Sequence, residues 1–235
     1  MSGENRSCFW KQYYKTVRED DPGVNRAGEY SASTMTDSYS NFVELKQHAR
    51  EDEDFTVLYR KVDSEIAIIA PHGGGIEPGT SDIADLLAGC DYTFYCFKGL
   101  KKIGNKTLHL GSSLFDEERG LQAAQNARIV ITVHGSKDKA EKVHIGGKNQ
   151  ALKQRIMHAL RAAGFDAGIN DMPGLMGKQP ENICNRCKSG QGVQLEISRG
   201  LREKMFDNLD HRSLRKKTIL FYQFVNALRN ALLAK

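Results

Sequence analysis

The segment Pro71-His72-Gly73-Gly74-Gly75-Ile76-Glu77-Pro78-Gly79-Thr80-Ser81 carries one imidazole and one carboxylate five residues apart, around three consecutive glycines. Glycine lets a backbone fold tightly, so His72 and Glu77 can converge on one point, as metal binding requires. Two other glycine-rich chemistries fail on reading. A phosphate-binding P-loop needs Lys where Thr80 follows Gly79, and an esterase using an HGGG run needs a Gly-x-Ser-x-Gly elbow, which the chain lacks. A second imidazole, His134, ends the β-branched run Arg128-Ile129-Val130-Ile131-Thr132-Val133 and precedes Gly135. Two His and one carboxylate form the open three-ligand set of catalytic zinc, with a fourth position for a water whose pKa falls to about 7. The alternative is that His72 and His134 are structural histidines with satisfied hydrogen bonds.

A zinc hydrolase also needs a carboxylate that carries a proton from water to the leaving amine. Glu196 is the candidate, because in Gly192-Val193-Gln194-Leu195-Glu196-Ile197-Ser198 it interrupts an apolar strand, where burial is costly without a metal or cationic partner. The alternative is a solvent-facing strand position. Upstream, Asn182-Ile183-Cys184-Asn185-Arg186-Cys187 holds Arg186, whose guanidinium could grip a carboxylate or stabilise an oxyanion. Arg199 and Arg202 could extend a carboxylate-binding rim, although a solvated face is the expectation for both. Cys184 and Cys187 are read as incidental thiols, since no second Cys pair accompanies them. His48, His109, His158 and His211 receive structural readings, and His144 is a reserve ligand.

These residues need elements to position them. Periodicity predicts helices over residues 41–47, 81–88, 116–127, 149–163 and 212–234, and strands over 55–59, 65–70, 91–97, 107–110, 128–133 and 193–197. Such alternation implies an α/β fold, a single-domain twisted mixed sheet with helices on both faces and its site at the carboxyl ends of strands. Residues 169–191, rich in Gly, Pro, Asn and Arg, form the one long irregular stretch. Residues 1–34 carry few aliphatics and no period, so they are read as a poorly ordered extension before a domain over 35–235.

Composition sets the outer bounds. The chain has 235 residues, 40% hydrophobic and 27% charged, with a formal net charge of +5. That mild excess suits a polyanion, and neither nucleic acid nor a membrane is an expected partner; oligomeric state is not readable. No stretch is apolar enough to span a bilayer, and the amino terminus has charges where a signal peptide needs an apolar core, so a cytoplasmic location is expected, with lysis as a route of release. Five cysteines without framework spacing are read as thiols.

The segments PHGGGIEPGTS, VHG followed by IGG, and NICNR followed by GVQLEIS resemble the phage-type poly-γ-glutamate hydrolase family, over about residues 36 to 234. The resemblance implies a fold similar to zinc carboxypeptidases and zinc-dependent cleavage of γ-glutamyl amide bonds in poly-γ-glutamate. It maps zinc ligands onto His72, Glu77 and His134, and the general acid/base onto Glu196. The analogy with carboxypeptidases is imperfect, because their His and Glu ligands lie three apart and these lie five apart. The reading is therefore a Zn2+-dependent amidohydrolase in which Arg186 assists the oxyanion. Its rivals are a zinc deacylase or carboxypeptidase for small acyl-amino acids, and a non-catalytic polyanion-binding prophage protein.

Overall fold

The structure is a computed structural model that describes residues 37–169 and 176–233. The extension over 1–34 lies outside the described residues, as does part of the irregular stretch. From Asp37 onward the chain forms one compact unit around a seven-stranded sheet, in the order β1-β3-β2-β4-β7-β5-β6. The strands are β1 Phe55–Arg60, β2 Ile66–Gly74, β3 Thr93–Gly99, β4 Ile129–Gly135, β5 Lys142–Gly147, β6 Asp166–Ile169 and β7 Val193–Ile197. The four central strands β3, β2, β4 and β7 run parallel, while β1 is antiparallel to β3 and β5 antiparallel to β7. The carboxyl ends of β2, β4 and β7 therefore share one edge, where open α/β sheets gather their sites.

Helices cover both faces, as expected. On one face, α2 (Thr80–Ala88), α4 (Gln150–Ala162), α5 (Arg199–Met205) and α6 (Ile219–Leu233) bury a continuous apolar core with Ile68, Val133 and Leu195. On the other, α1 (Phe42–His48) and α3 (Glu118–Asn126) pack with aromatic side chains, Tyr95, Phe97 and Phe115 among them. Burying such side chains contributes roughly 1.5–3 kcal/mol each, enough to hold a sheet whose site edge carries polar groups. Among the described residues, no helix is long and apolar enough to cross a membrane.

Two expected elements differ. Residues 107–110 are not a strand: a 3-10 turn spans Asn105–Leu108, because Gly104 adopts a left-handed conformation and its carbonyl accepts from both the amide and the hydroxyl of Thr107. The last helix starts at Ile219 rather than at 212, because Lys216–Lys217 pair with Phe206–Asp207 as a two-stranded ribbon. Strands β5 and β6 and helix α5 were not foreseen; α5 is capped by the Ser198 hydroxyl, which accepts from the Leu201 amide. Cys96, Cys184 and Cys187 are buried free thiols, as expected.

Candidate metal centre

Strict alternation along β2 would send His72 to the face of Ile68 and Ala70. A register shift between Ala70 and Gly73 breaks the alternation, and the His72 ring instead meets Phe115 of the opposite core. The backbone then turns: Glu77 N–H donates to the His72 carbonyl, which swings the Glu77 carboxylate back over the imidazole. Gly74, at φ 67°, is needed for this turn, since a Cβ there would lie 2.3 Å from the Gly99 carbonyl oxygen. His72 is 2% exposed, and its Nε2 lies 2.7 Å from the Leu110 carbonyl oxygen. A carbonyl only accepts, so Nε2 carries a proton, and Nδ1, once free of the proton that the Glu77 carboxylate favours there, presents its lone pair.

That lone pair points into a cluster. His72 Nδ1 lies 3.2 Å from Glu77 Oε1 and 3.2 Å from His134 Nδ1, and His134 Nδ1 lies 3.9 Å from Glu77 Oε2. Donor atoms on a tetrahedral zinc, at bond lengths of about 2.0–2.1 Å, sit about 3.3–3.4 Å apart. His72 Nδ1 comes close to that spacing with both Glu77 Oε1 and His134 Nδ1, while the approach of His134 to Glu77 is longer and is made to the other carboxylate oxygen. Two imidazoles on one ion would also place their ring centroids about 5.2 Å apart, and those of His72 and His134 are 5.0 Å apart. The cluster is held from behind: Gly135 N–H donates to Glu77 Oε2 at 2.8 Å, and a Cβ on Gly135 would lie 2.5 Å from the Arg202 guanidinium carbon.

Register places the other candidates. Glu196 on β7 pairs with His134 on β4 and with His144 on β5, so the three side chains stand on one face. Glu196 is buried and accepts from Gln194 Nε2 at 2.9 Å, while Gln194 Oε1 accepts from Asn182. Burial, followed by the nearby Glu77 charge, holds the Glu196 carboxyl well above the usual carboxylate range. Glu77 moves the other way: burial opposes its charge, but His72 and His134 overcome that and hold it at about 2. Burial pushes His134 down to about 3, a neutral imidazole suited to ligation. Arg202 is not on a solvated face: it is 3% exposed and donates to the carbonyls of Pro78, Ser136 and Ile197, joining the loops after β2 and β4 to the end of β7.

Arg186 donates to the carbonyls of Ser113, Phe115 and Glu181, which ties it to the loop carrying Ser112, whose hydroxyl lies 3.5 Å from His134 Nε2. Arg199 is paired with Glu203 and Asp210 on the surface. His144 is half-buried, with Nε2 3.8 Å from Asp138. The residue missed in the sequence is His109. It stacks on His72 with ring centroids 3.9 Å apart, and its Nε2 lies 3.9 Å from Glu77 Oε1. His72, Glu77 and His109 each offer a donor atom within 4.8 Å of the others. Nothing in the Thr107-Leu108-His109-Leu110 spacing marks this proximity, which arises from the packing of one loop against another.

YndL of Bacillus subtilis (strain 168) is 35% identical over 197 residues, covering 82% of this chain and 76% of YndL. A solved structure of zinc-free YndL superposes with a TM-score of 0.80 at 35% identity, covering 84% of this chain and 98% of that one. A bacteriophage poly-gamma-glutamate hydrolase does so with a TM-score of 0.80 at 30% identity, covering 84% and 97%. The sequence profile of the poly-gamma-glutamate hydrolase family matches residues 39–227, which include every residue of the cluster, and this chain belongs to that family.

Proposed function

We propose that this protein is a zinc-dependent hydrolase of poly-γ-glutamate, with His72, Glu77 and His134 as the ligands and Glu196 as the proton carrier. The observation that supports it most is the convergence of His72, His134 and the Glu77 carboxylate, with His72 Nδ1 3.2 Å from both partners, beside a buried carboxyl raised above its ordinary range. Zinc on these ligands supplies a Lewis acid and a water of lowered pKa. Ionised Glu196, one strand from His134, takes the proton released as water attacks the γ-amide carbonyl. It then delivers that proton to the departing nitrogen, so the C–N bond breaks to leave a γ-carboxylate and an amine. Gln194, fixed by Asn182, keeps the Glu196 carboxylate aimed during both transfers. Arg186, which holds the loop carrying Ser112 through the Ser113 and Phe115 carbonyls, is assigned the oxyanion by its positive charge. The catalytic unit is the domain from residue 35 onward, and the net charge of +5 favours an acidic polymer.

The test is the size of purified poly-γ-glutamate on gels after incubation with the protein, with chelator and with zinc restored. Shortening that the chelator stops and zinc restores is expected. Unchanged polymer with a folded, zinc-replete protein would remove this substrate and turn attention to small acyl-amino acids.

A further inference from the structure

We propose that Asp37 is a positioning residue of the metal centre, whose carboxylate holds the His72 ring in its ligating orientation from two sides. Oδ1 of Asp37 accepts from His109 Nδ1 at 2.6 Å, and Oδ2 accepts from the Gly111 amide at 2.8 Å. These two donors flank Leu110, whose carbonyl oxygen meets His72 Nε2 at 2.7 Å. One carboxylate thus fixes two of the groups that touch the imidazole: a carbonyl at one ring nitrogen and a stacked ring on one face, 3.9 Å away at 29°. Gly111 makes the contact possible, because a Cβ there would lie 2.7 Å from Asp37 Oδ2.

His109 is a brace in this arrangement rather than a third imidazole on the same ion. Co-ligand rings on a tetrahedral ion have centroids about 5.2 Å apart, and even a right-angled pair would be about 4.5 Å apart. The pair His72 and His134, at 5.0 Å, meets that geometry; His72 and His109, at 3.9 Å and nearly parallel, do not. Outer groups that orient a ligating imidazole typically change metal affinity by about 10–100-fold when removed. Here that outer group lies 72 residues from His109 in sequence.

The inference rests on the reading of His72 as a zinc ligand, so both are measured together in the full chain. Zinc affinity is read by competition with a chromophoric chelator, and site geometry by the visible spectrum of the cobalt-substituted protein. Wild type should bind one zinc and His72→Ala should lose it. Asp37→Ala should bind about 10–100-fold more weakly with an altered cobalt spectrum. Asp37→Asn, whose amide nitrogen cannot accept from Gly111, should fall between. Leu228→Ala, which opens the remote core, should lower thermal stability but keep wild-type affinity and spectrum. Wild-type affinity and spectrum in Asp37→Ala, or in Asp37→Asn if the alanine variant does not fold, would overturn the role of Asp37 alone. Absence of zinc from wild type, or equal binding by His72→Ala, would overturn the ligand reading and this inference with it.

Discussion

The turn after β2 carries a half-buried carboxylate and the end of β7 a buried one, and the two are tuned in opposite directions. Glu77 lies against His72 and His134 and accepts a backbone N–H, so its charge is favoured despite burial. Glu196 has one amide donor and the repulsion of Glu77, so burial prevails and its carboxyl is raised. The same side chain thus becomes an anion suited to holding a cation, or a group suited to exchanging a proton, according to what the backbone places beside it. Arg202 connects the two regions, because its guanidinium bonds to the loop after β2 and to the end of β7.

The largest effect that would sharpen this contrast is on turnover. Glu196→Gln should slow depolymerisation by about 10³-fold while zinc content, read by metal analysis, stays near wild type. Normal activity in that variant would remove Glu196 from the mechanism. Glu77→Gln should do the converse in binding, lowering zinc affinity by at least about 10-fold in a chelator competition. Arg202→Ala removes buried charge-assisted bonds to the carbonyls of Pro78, Ser136 and Ile197, and should destabilise the fold by about 3–5 kcal/mol in urea unfolding.

Smaller effects come from pH dependence in the zinc-free protein. Glu77 is about 2 in the folded state, below its unfolded value near 4.5, so its contribution is present above pH 4.5 and is lost as pH falls toward 2. Glu196 is raised, so its contribution is full below its unfolded value near 4.5 and is lost as pH rises through its folded value. At neutral pH, Glu196→Gln should therefore raise stability and Glu77→Gln lower it, and shifts of the same sign would break the contrast. Asp210 is the surface reference: its bond with Arg199 outweighs burial and lowers its pKa, yet it is largely exposed. Asp210→Asn should change stability by under about 0.5 kcal/mol and leave zinc binding unaltered.

What was legible in the chain was local. The β-branched run into His134, the glycines around His72 and the carboxylate inside an apolar strand are short-range patterns, and strands β2, β4 and β7 stand where those patterns place them. Strand β5 was not legible because Lys142-Val143-His144-Ile145-Gly146-Gly147 is short and glycine-rich, and its pairing with β7 rather than its own propensity makes it a strand. Arg202 reads as a residue of a solvated face, and only the meeting of the segments around Pro78, Ser136 and Ile197 buries it.

The sequence alone determined the donor types, their approximate number and the strand ends that carry them, because residue chemistry and hydrophobic period are local properties. Only the tertiary structure decided that a register shift turns His72 onto the face of His134. It alone brought His109 and Asp37, from separate loops, against that ring. The physical reason is that a ligand's orientation depends on contacts closed through space across tens of residues, and no spacing along one segment encodes them.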